Sequence, residues 1–381
     1  MPKFGRTTFN QKHSFKMESL KNILAFLENI APLKYQESYD NSGLITGNAD
    51  MQITGAILAL DCIEAVVDEA IASNCNLIIA HHPIVFGGLK KFNGKNYVER
   101  TIIKAIKNDI AIYAIHTNLD NVHRGVNAKI CEVLGLVNCK ILSPKNGVLK
   151  KLVTYVPLAQ AEQVRKALFD AGCGAIGKYS EASFNTQGIG TFKANAGANP
   201  HVGEIGMQHQ EPEIRMESIF EGVHQSKIIK ALLAAHPYEE VAYDIYALEN
   251  HNQQVGSGMV GELSIEMEAL DFLKQVKATM QTDCIRHTTL LNKKVKRIAV
   301  CGGAGSFLLN DAIAAGADVF ITGDYKYHQF FDADGKIVIA DIGHYESEQF
   351  TKQLLYDLLV QNFNTFALHL TKVSTNPVNY F

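Results

Sequence analysis

The sequence predicts an α/β protein with two α/β lobes, residues 17–148 and 256–381, separated by an inserted ferredoxin-like α+β module at 149–255. In the first and last thirds, aliphatic segments alternate with segments of helical periodicity, which is typical of a mostly parallel sheet flanked by helices. The middle third instead has strands that alternate polar and apolar residues. The length of 381 residues is also enough for two or three domains.

The first lobe contains near-continuous apolar segments, which predict strands buried on both faces. The predicted strands are 55–61, 76–80 and 110–115, and the predicted helices are 62–74, 97–109 and 125–136. A helical pattern begins at Met17. Residues 1–16 are polar and lack the apolar core of a signal peptide, so we expect a disordered lead or a mis-called start.

The last lobe repeats this style, and the middle module differs from both. In the last lobe, strands are predicted at 296–301, 318–322 and 336–341, and helices at 306–317 and 346–363. In the module, strands are predicted at 151–157, 177–184, 214–222 and 239–248, and helices at 158–172 and 224–236. This β-α-β, β-α-β order favours a ferredoxin-like module. The stretch 187–212 is expected to be a long connection.

Composition excludes several classes of protein. The net charge of −3 gives no basic field for nucleic acid. No apolar run approaches the roughly 18 residues of a membrane span. The seven cysteines are odd in number and show no C-x-x-C spacing, which is typical of free thiols in a reducing compartment. We therefore expect a cytoplasmic protein.

Three predicted strands run directly into histidine and carboxylate residues. In open α/β sheets, ligands bind at the carboxyl ends of the strands. The residues delivered there are His81, His82, His116, Asp120, His344 and Glu348. Adjacent residues of a regular strand point to opposite faces, so His81 and His82 can share a site only where the strand breaks, as Pro83 indicates. The alternative is that each histidine is a hydrogen-bonded structural residue.

The spacing within this group favours metal binding. His344 and Glu348 lie four residues apart at the start of a predicted helix, on one helical face. Nitrogen and oxygen ligands together suit Zn²⁺, Mn²⁺ or Fe²⁺ and disfavour Mg²⁺ or Ca²⁺. The group offers enough ligands for two ions if one carboxylate bridges them.

The chain resembles the Nif-three-like dinuclear metal-binding family, whose members are named GTP cyclohydrolase I type 2 or its homologues. The matching stretches are YDNSGLITG (39–47), AHHPIVFGGLK (80–90), HTNLDNVHRGVN (116–127), GDYKYH (323–328) and DIGHYESE (341–348). The resemblance implies two divalent transition-metal ions (Zn, Mn or Fe) per chain, held by His81, His82, Asp120, His344 and a bridging Glu348. It makes His116 a pocket residue. At Tyr39 the chain departs from the family, which often has Trp there.

The middle module carries a second resemblance. Residues 155–184, IGTF (189–192) and AHPYEEVAYDIY (235–246) are similar to the insert of longer family members. That insert is similar in fold to nitrogen-regulatory PII proteins and CutA trimers. The resemblance implies a toroidal homo-hexamer with the insert over its mouth.

Several other residues are candidates with two interpretations each. Asp324, Tyr325 and His328 follow a strand end and, with His116, are candidate pocket residues. The stretch CGGAGS (301–306) is either a tight turn or a phosphate cradle. Asp61 is either a pocket acid or a helix N-cap. His123 and Arg124 either bind phosphate or lie in a solvated loop, and His236 is expected to anchor a turn.

Three functions are compatible with these residues. The first is a metal-dependent hydrolase acting on a nucleotide or another phosphate-bearing small molecule; the family's named reaction attacks C8 of the guanine of GTP and releases formate. The second is a metal-binding chaperone or insertase. The third is an oligomeric regulatory scaffold. No G-x-S-x-G elbow and no recognisable cysteine nucleophile motif is present, which disfavours a covalent mechanism.

Overall fold

The structure, a computed structural model, describes residues 17–363 and 367–381. The described chain divides into two compact units, one made of the residues up to Ser143 and from Gly256 onward, the other of Pro144–Val255. The expected disordered lead, 1–16, lies outside the described residues. The elements of both units follow in chain order.

The strands are β1 Glu18–Ser19, β2 Gly43–Thr46, β3 Gln52–Ile53, β4 Gly55–Ala59, β5 Leu77–Ala80, β6 Ala111–Ala114, β7 Val137–Pro144, β8 Leu149–Pro157, β9 Phe184–Lys193, β10 Gln208–Glu221, β11 Tyr243–Ala247, β12 Gly256–Glu268, β13 Arg286–His287, β14 Lys294–Ala304, β15 Val319–Gly323, β16 Val338–Asp341 and β17 Ala367–Leu370. The helices are α1 Leu20–Ile30, α2 Glu64–Ala72, α3 Tyr97–Lys107, α4 Thr117–Asp120, α5 Val126–Val133, α6 Ala161–Ala171, α7 Gln225–Ala235, α8 Ala269–Thr279, α9 Leu309–Ala314, α10 His344–Glu348 and α11 Thr351–Asn362.

The first sheet has the order β17-β4-β5-β6-β2. Strands β17, β4, β5 and β6 are parallel, and β2 is antiparallel to β6. Every residue of β4, β5 and β6 is buried, as their continuous apolar sequences predict. Side chains of α2 and α3, among them Val66, Val67 and Ile102, pack on Ile57 and Ile78 of the sheet.

The second sheet has the order β13-β16-β15-β14-β12-β7. Its central strands β14, β15 and β16 are parallel, while β12 and β13 pair antiparallel to them. Leu309 and Ala312 of α9 pack on Ala299, Phe320 and Ile339 of this sheet. The prediction of a mixed α/β fold with several sheets is confirmed. Both of these sheets, with their parallel strands, belong to the unit made of the residues up to Ser143 and from Gly256 onward.

The unit Pro144–Val255 has one antiparallel sheet of order β11-β8-β10-β9, with α6 and α7 following β8 and β10. The strand expected at 177–184 is misplaced, because the structure has its strand at Phe184–Lys193, which extends into the stretch 187–212 that was expected to be a connection. Gly188 and Gly190 lower the strand propensity of this sequence and hide β9 from pattern analysis.

The single helix expected at 346–363 is also wrong. The structure has a short helix, α10, that begins at His344, and a separate helix, α11. Within the part of the chain that the structure describes, no helix is long and apolar enough to cross a membrane.

Candidate metal centre

Strand ends bring the candidate ligands together. Beyond β5, the His81 and His82 N–H groups still donate to the carbonyls of Ala59 and Leu60, at 3.1 and 2.9 Å. The chain then turns at Pro83, which lets both imidazoles serve one site. Asp120 ends α4, which follows β6, and α10 carries His344 and Glu348 directly after β16. The break in the strand inferred from Pro83 is therefore present.

Glu348 lies at the centre of the cluster, and its two carboxylate oxygens face different side chains. Its Oε1 is 3.8 Å from His81 Nε2, which in turn is 3.5 Å from Asp120 Oδ1. Its Oε2 is 3.0 Å from His82 Nε2 and 3.1 Å from His344 Nε2. The ligand atoms of the His81 group (His81, Asp120, Glu348) and of the His82 group (His82, His344, Glu348) each lie within 4.8 Å of one another. Each group could hold a metal ion.

The Nδ1 atoms of His81, His82 and His344, which point away from Glu348, each pair with an oxygen atom. The pairs are His81 Nδ1 with Ile115 O at 2.8 Å, His82 Nδ1 with Asp61 Oδ1 at 2.8 Å, and His344 Nδ1 with Asp324 Oδ2 at 2.7 Å. An Nδ1–H donated to such an acceptor leaves the Nε2 lone pair free for a metal. All three rings thus present the same nitrogen to the centre.

Two buried atoms of the cluster make no hydrogen bond within residues 17–363 and 367–381, namely His81 Nε2 and Asp120 Oδ1. Burying a polar atom without a partner costs about 1–3 kcal/mol. A cation between these two atoms would remove that cost. Nitrogen and oxygen donors of this kind suit Zn²⁺, Mn²⁺ or Fe²⁺, so the residues present fit the metal that the resemblance implies.

The charges of the cluster are strongly coupled. Burial opposes ionisation of Glu348, but its contacts with His344, His81 and His82 hold its pKa well below the usual range. Burial and the neighbouring Glu348 charge raise the pKa of Asp120 to about 7. Burial lowers the pKa of His344, but Asp324 and Glu348 outweigh it and raise the pKa to about 11. Positive charge is therefore stabilised at this centre.

His116 lies beside the cluster and is oriented by Asp40. One of its ring nitrogens is within 4.8 Å of ring nitrogens of His81 and His82, and its Nδ1 is 2.8 Å from Asp40 Oδ1. Asp40 also accepts from the Thr117 N–H at 3.1 Å. Burial opposes ionisation of Asp40, but the contacts with His116 and Thr117 hold its pKa well below the usual range.

The end of β14 packs against Glu348 through glycine. Gly303 has φ +62°, and a Cβ there would lie 2.5 Å from Glu348 Oε1. The N–H groups of Gly302, Gly303 and Gly305 donate to Asn127 Oδ1, Ser347 Oγ and Thr322 Oγ1 at 3.0, 2.9 and 2.9 Å. Residues 301–304 belong to β14 and the chain turns at Gly305, while side-chain oxygens occupy these three donors, so the structure does not support a phosphate cradle here.

The centre opens into a cavity of about 1540 Å³. His116 and Asp324 line it, as expected of pocket residues. Tyr325 and His328 do not belong to its lining: the Tyr325 side chain packs in the core under the second sheet. His123 and Arg124 are also outside the lining, so the structure gives no phosphate contact for either.

The cavity lining is strongly acidic. Arg286 is the one Lys or Arg residue among the described residues that line it. Its guanidinium pairs with the carboxylate of Asp341. The carboxylate residues of the lining are Glu37, Asp61, Glu64, Asp120, Asp324, Asp341, Glu346 and Glu348. Any anionic ligand of this cavity therefore depends on bound cations for its charge balance.

Known proteins share this fold. A sequence model of the family Duf34/NIF3 (NGG1p interacting factor 3) matches residues 18–377. The chain belongs to the Duf34/NIF3 family. The resemblance to the Nif-three-like family is thereby confirmed.

Relatives of this Duf34/NIF3 chain match over nearly its whole length. A Bacillus subtilis protein named GTP cyclohydrolase 1 type 2 homolog is 38% identical over 366 residues, 94% of this chain and 98% of that protein. A protein of the same name from Halalkalibacterium halodurans is 37% identical over 371 residues, 96% of this chain and 100% of that protein. The crystal structure of a Bacillus cereus protein related to NIF3 has a TM-score of 0.83, with 38% identity, and covers 96% of this chain and 100% of its own.

Sequence reasoning misses part of this Duf34/NIF3 site. Asp61 lines the cavity, as one of its two interpretations expects, but it is not an N-cap, because Ile63 is the N-cap of α2. Sequence reasoning did not predict that the Asp61 carboxylate pairs with His82. The pairing of Asp40 with His116 could also not be predicted from the spacing of the candidate ligands, although Asp40 lies in one of the stretches that resemble the family, YDNSGLITG. One signal could have found both: each imidazole of a metal site needs an acceptor, and a carboxylate near a strand end is a candidate.

Proposed function

We propose that the chain is a dinuclear metal-dependent hydrolase. The observation that carries the proposal is the position of Glu348, whose two carboxylate oxygens face two separate groups of nitrogen and oxygen donors, the His81 group and the His82 group. Two divalent ions, when bound, would lower the pKa of a water molecule and stabilise negative charge that develops on a substrate.

The chain's own residues supply binding and proton transfer. Asp40 fixes Nδ1 of His116, so the remaining ring nitrogen of His116 is available to accept or donate a proton beside the cluster. Asp61 and Asp324 keep the His82 and His344 rings in place through their Nδ1 atoms. Such preorganisation avoids the cost of reorienting the groups during the reaction.

A nucleotide is the proposed substrate, and GTP is the first candidate because relatives are named GTP cyclohydrolase 1 type 2 homologs. The cavity of about 1540 Å³ has room for a ligand of this size. Phe86 and Tyr39 line it and offer rings against which a base could stack. Since Arg286 already pairs with Asp341, binding of the phosphates is expected to require the metal ions.

The test is incubation of metal-reconstituted protein with GTP, guanosine and other nucleotides, with products followed by mass spectrometry. We expect ring opening of the base and release of formate from GTP, and no reaction without metal. In His116→Gln the rate should fall by about 100-fold or more, with unchanged metal content. Absence of turnover for every nucleotide by fully metal-loaded protein would refute the hydrolase proposal.

A metal chaperone or insertase is the second candidate. His344 is 37% exposed, so one metal position is reachable from the cavity. This function requires rapid transfer of the ion to an acceptor, whereas a resident catalytic metal should exchange slowly. Competition with a chromogenic chelator distinguishes the two by the rate of metal loss.

Two further expectations stay proposals. The strand and helix order of Pro144–Val255 supports a ferredoxin-like module related to PII and CutA proteins. Assembly as a homo-hexamer rests on the family resemblance. Light scattering of the full chain tests it, and a monomer at micromolar concentration would contradict it.

A further inference from the structure

A second cavity lies within the unit Pro144–Val255. Its volume is about 600 Å³, inside the range of roughly 300–1,000 Å³ typical of small-molecule sites. Residues of β9, residues 198–201 and residues 238–242 contribute to its lining. Every lining residue belongs to this unit, and none is a candidate ligand of the metal centre.

Glu213 is the buried charged group of this cavity. The residue is 7% exposed, and its Oε1 accepts a hydrogen bond from the Tyr238 O–H at 2.8 Å. Its Oε2 accepts none from the residues that the structure describes. Glu213 lines the cavity, and its Oε2 is not one of the fully buried atoms that lack a partner, so a ligand with a donor or a positive charge can reach and stabilise it. Glu213 thus has one acceptor available to a ligand.

The Glu213 carboxylate occupies space that is open because Gly190 of β9 has no side chain. A Cβ at Gly190 would be 2.2 Å from Glu213 Oε2, so any other residue would force the carboxylate away. Gly190 pairs with Glu211 on β10, and Gly188 pairs with Glu213 itself. Gly190, which weakens β9 as a strand, therefore leaves room for the Glu213 carboxylate beside the cavity.

The remaining lining is negative and apolar. The charged lining residues are Glu213, Glu239, Glu240 and Arg215, which gives −3 + 1 = −2. Arg215 already pairs with Glu217 at 3.0 Å. The rings of Phe192 and Tyr238 are 6.1 Å apart, centroid to centroid, and both line the cavity. Among the described residues of this unit there is no group of three metal-ligating side chains.

We propose that this cavity binds a small organic cation, an amine or ammonium group carried on an apolar body. The ammonium donates to Glu213 Oε2 and lies near the rings of Phe192 and Tyr238, which attract cations through their faces. The apolar body lies against Ile189 and Ala242. Negative lining and aromatic rings together discriminate against anions of the same shape.

The experiment is calorimetric titration of the full chain with phenethylamine, compared with phenethyl alcohol and hydrocinnamate. The amine is expected to bind saturably, the alcohol about tenfold more weakly, and the acid not at all. Glu213→Gln keeps the acceptor for Tyr238 and removes the charge, so amine binding should weaken by about tenfold or more. Glu266→Gln, which changes an exposed carboxylate of β12, is the matched control and should bind as the wild type does.

Phe192→Leu keeps the apolar volume and removes the ring, and is expected to weaken amine binding even if Glu213→Gln fails to fold. Unchanged binding in a folded Glu213→Gln variant would overturn the proposal, since the acidic metal-centre cavity would then be the site. No saturable binding of phenethylamine or hexylamine at millimolar concentration would also overturn it. The proposal would also be overturned if Glu213→Gln changed the oligomeric state of the protein and left amine binding unchanged, because a second copy of the chain would then be the occupant of the cavity.

Discussion

At the candidate metal centre, the Nδ1 atom of each of the imidazoles of His81, His82 and His344 pairs with an oxygen. For His82 and His344 this oxygen belongs to a carboxylate, Asp61 or Asp324, whereas for His81 it is the carbonyl of Ile115. Burial lowers the pKa of His82, but Asp61 and Glu348 raise it to about 9. Sequence spacing could predict the ligands near strand ends, but not these partners, because the pairing depends on how distant segments meet.

Asp61→Asn tests the contribution of such a partner. The asparagine keeps the shape and the contact with Thr375 but no longer offers a charged acceptor to His82 Nδ1. Metal affinity is expected to fall by about 10- to 100-fold, with the free energy of unfolding little changed. Calorimetric titration with Zn²⁺ measures it. Asp68→Asn, on the exposed face of α2, is the control, and equal affinities in the two variants would contradict the assigned role.

At the scale of elements, the site depends on where strands end. The alternation of apolar strands and helices predicts the parallel strands within both mixed sheets, and their carboxyl ends are where the candidate ligands lie. The prediction was wrong for β9, because Gly188 and Gly190 lower its strand propensity, and at Gly190 a Cβ would clash with Glu213. It was also wrong for the helix at 346–363, since the short helix with His344 and Glu348 breaks before α11. Both places lie beside a candidate site, where local propensity is often overridden.

Gly303→Ala tests the close packing of the β14 end on Glu348. Gly335→Ala is the matched control: Gly335 has φ +66° and open space where a Cβ would stand, whereas Gly303 has φ +62° and the Glu348 contact. Both variants should lose about 1–2 kcal/mol of unfolding free energy from backbone strain. Only Gly303→Ala should lose metal affinity, by about tenfold or more. Equal metal affinity in both would show that Glu348 tolerates displacement.

At the scale of the whole molecule, all five candidate ligands lie outside Pro144–Val255. The Lys145 N–H donates to the Val255 carbonyl at 2.8 Å, so the two ends of this unit are adjacent. Strands β7 and β12, which flank the unit in sequence, are neighbours in one sheet. The change in strand pattern predicts a separate middle unit, whereas the cavity with Glu213 could not be predicted, because it depends on side chains from separate strands and loops.

Deletion of Pro144–Val255, with Ser143 joined to Gly256 by a short flexible linker, is expected to leave a folded protein that binds metal as the full chain does. Because the two ends are adjacent, joining them costs little conformational entropy of the chain. Circular dichroism and elemental analysis measure fold and metal content. A folded deletion variant that has lost its metal would show that the insert supplies a ligand or assembles the site.

The most direct measurement is the metal content of Glu348→Ala and His82→Ala after reconstitution, by elemental analysis. Wild type and the exposed control His287→Ala should hold about two ions per chain, as a two-metal site requires. Glu348→Ala removes an oxygen from both the His81 group and the His82 group and should lose both ions, whereas His82→Ala should keep about one. Retention of one ion by Glu348→Ala and of none by His82→Ala would contradict the bridging role of Glu348.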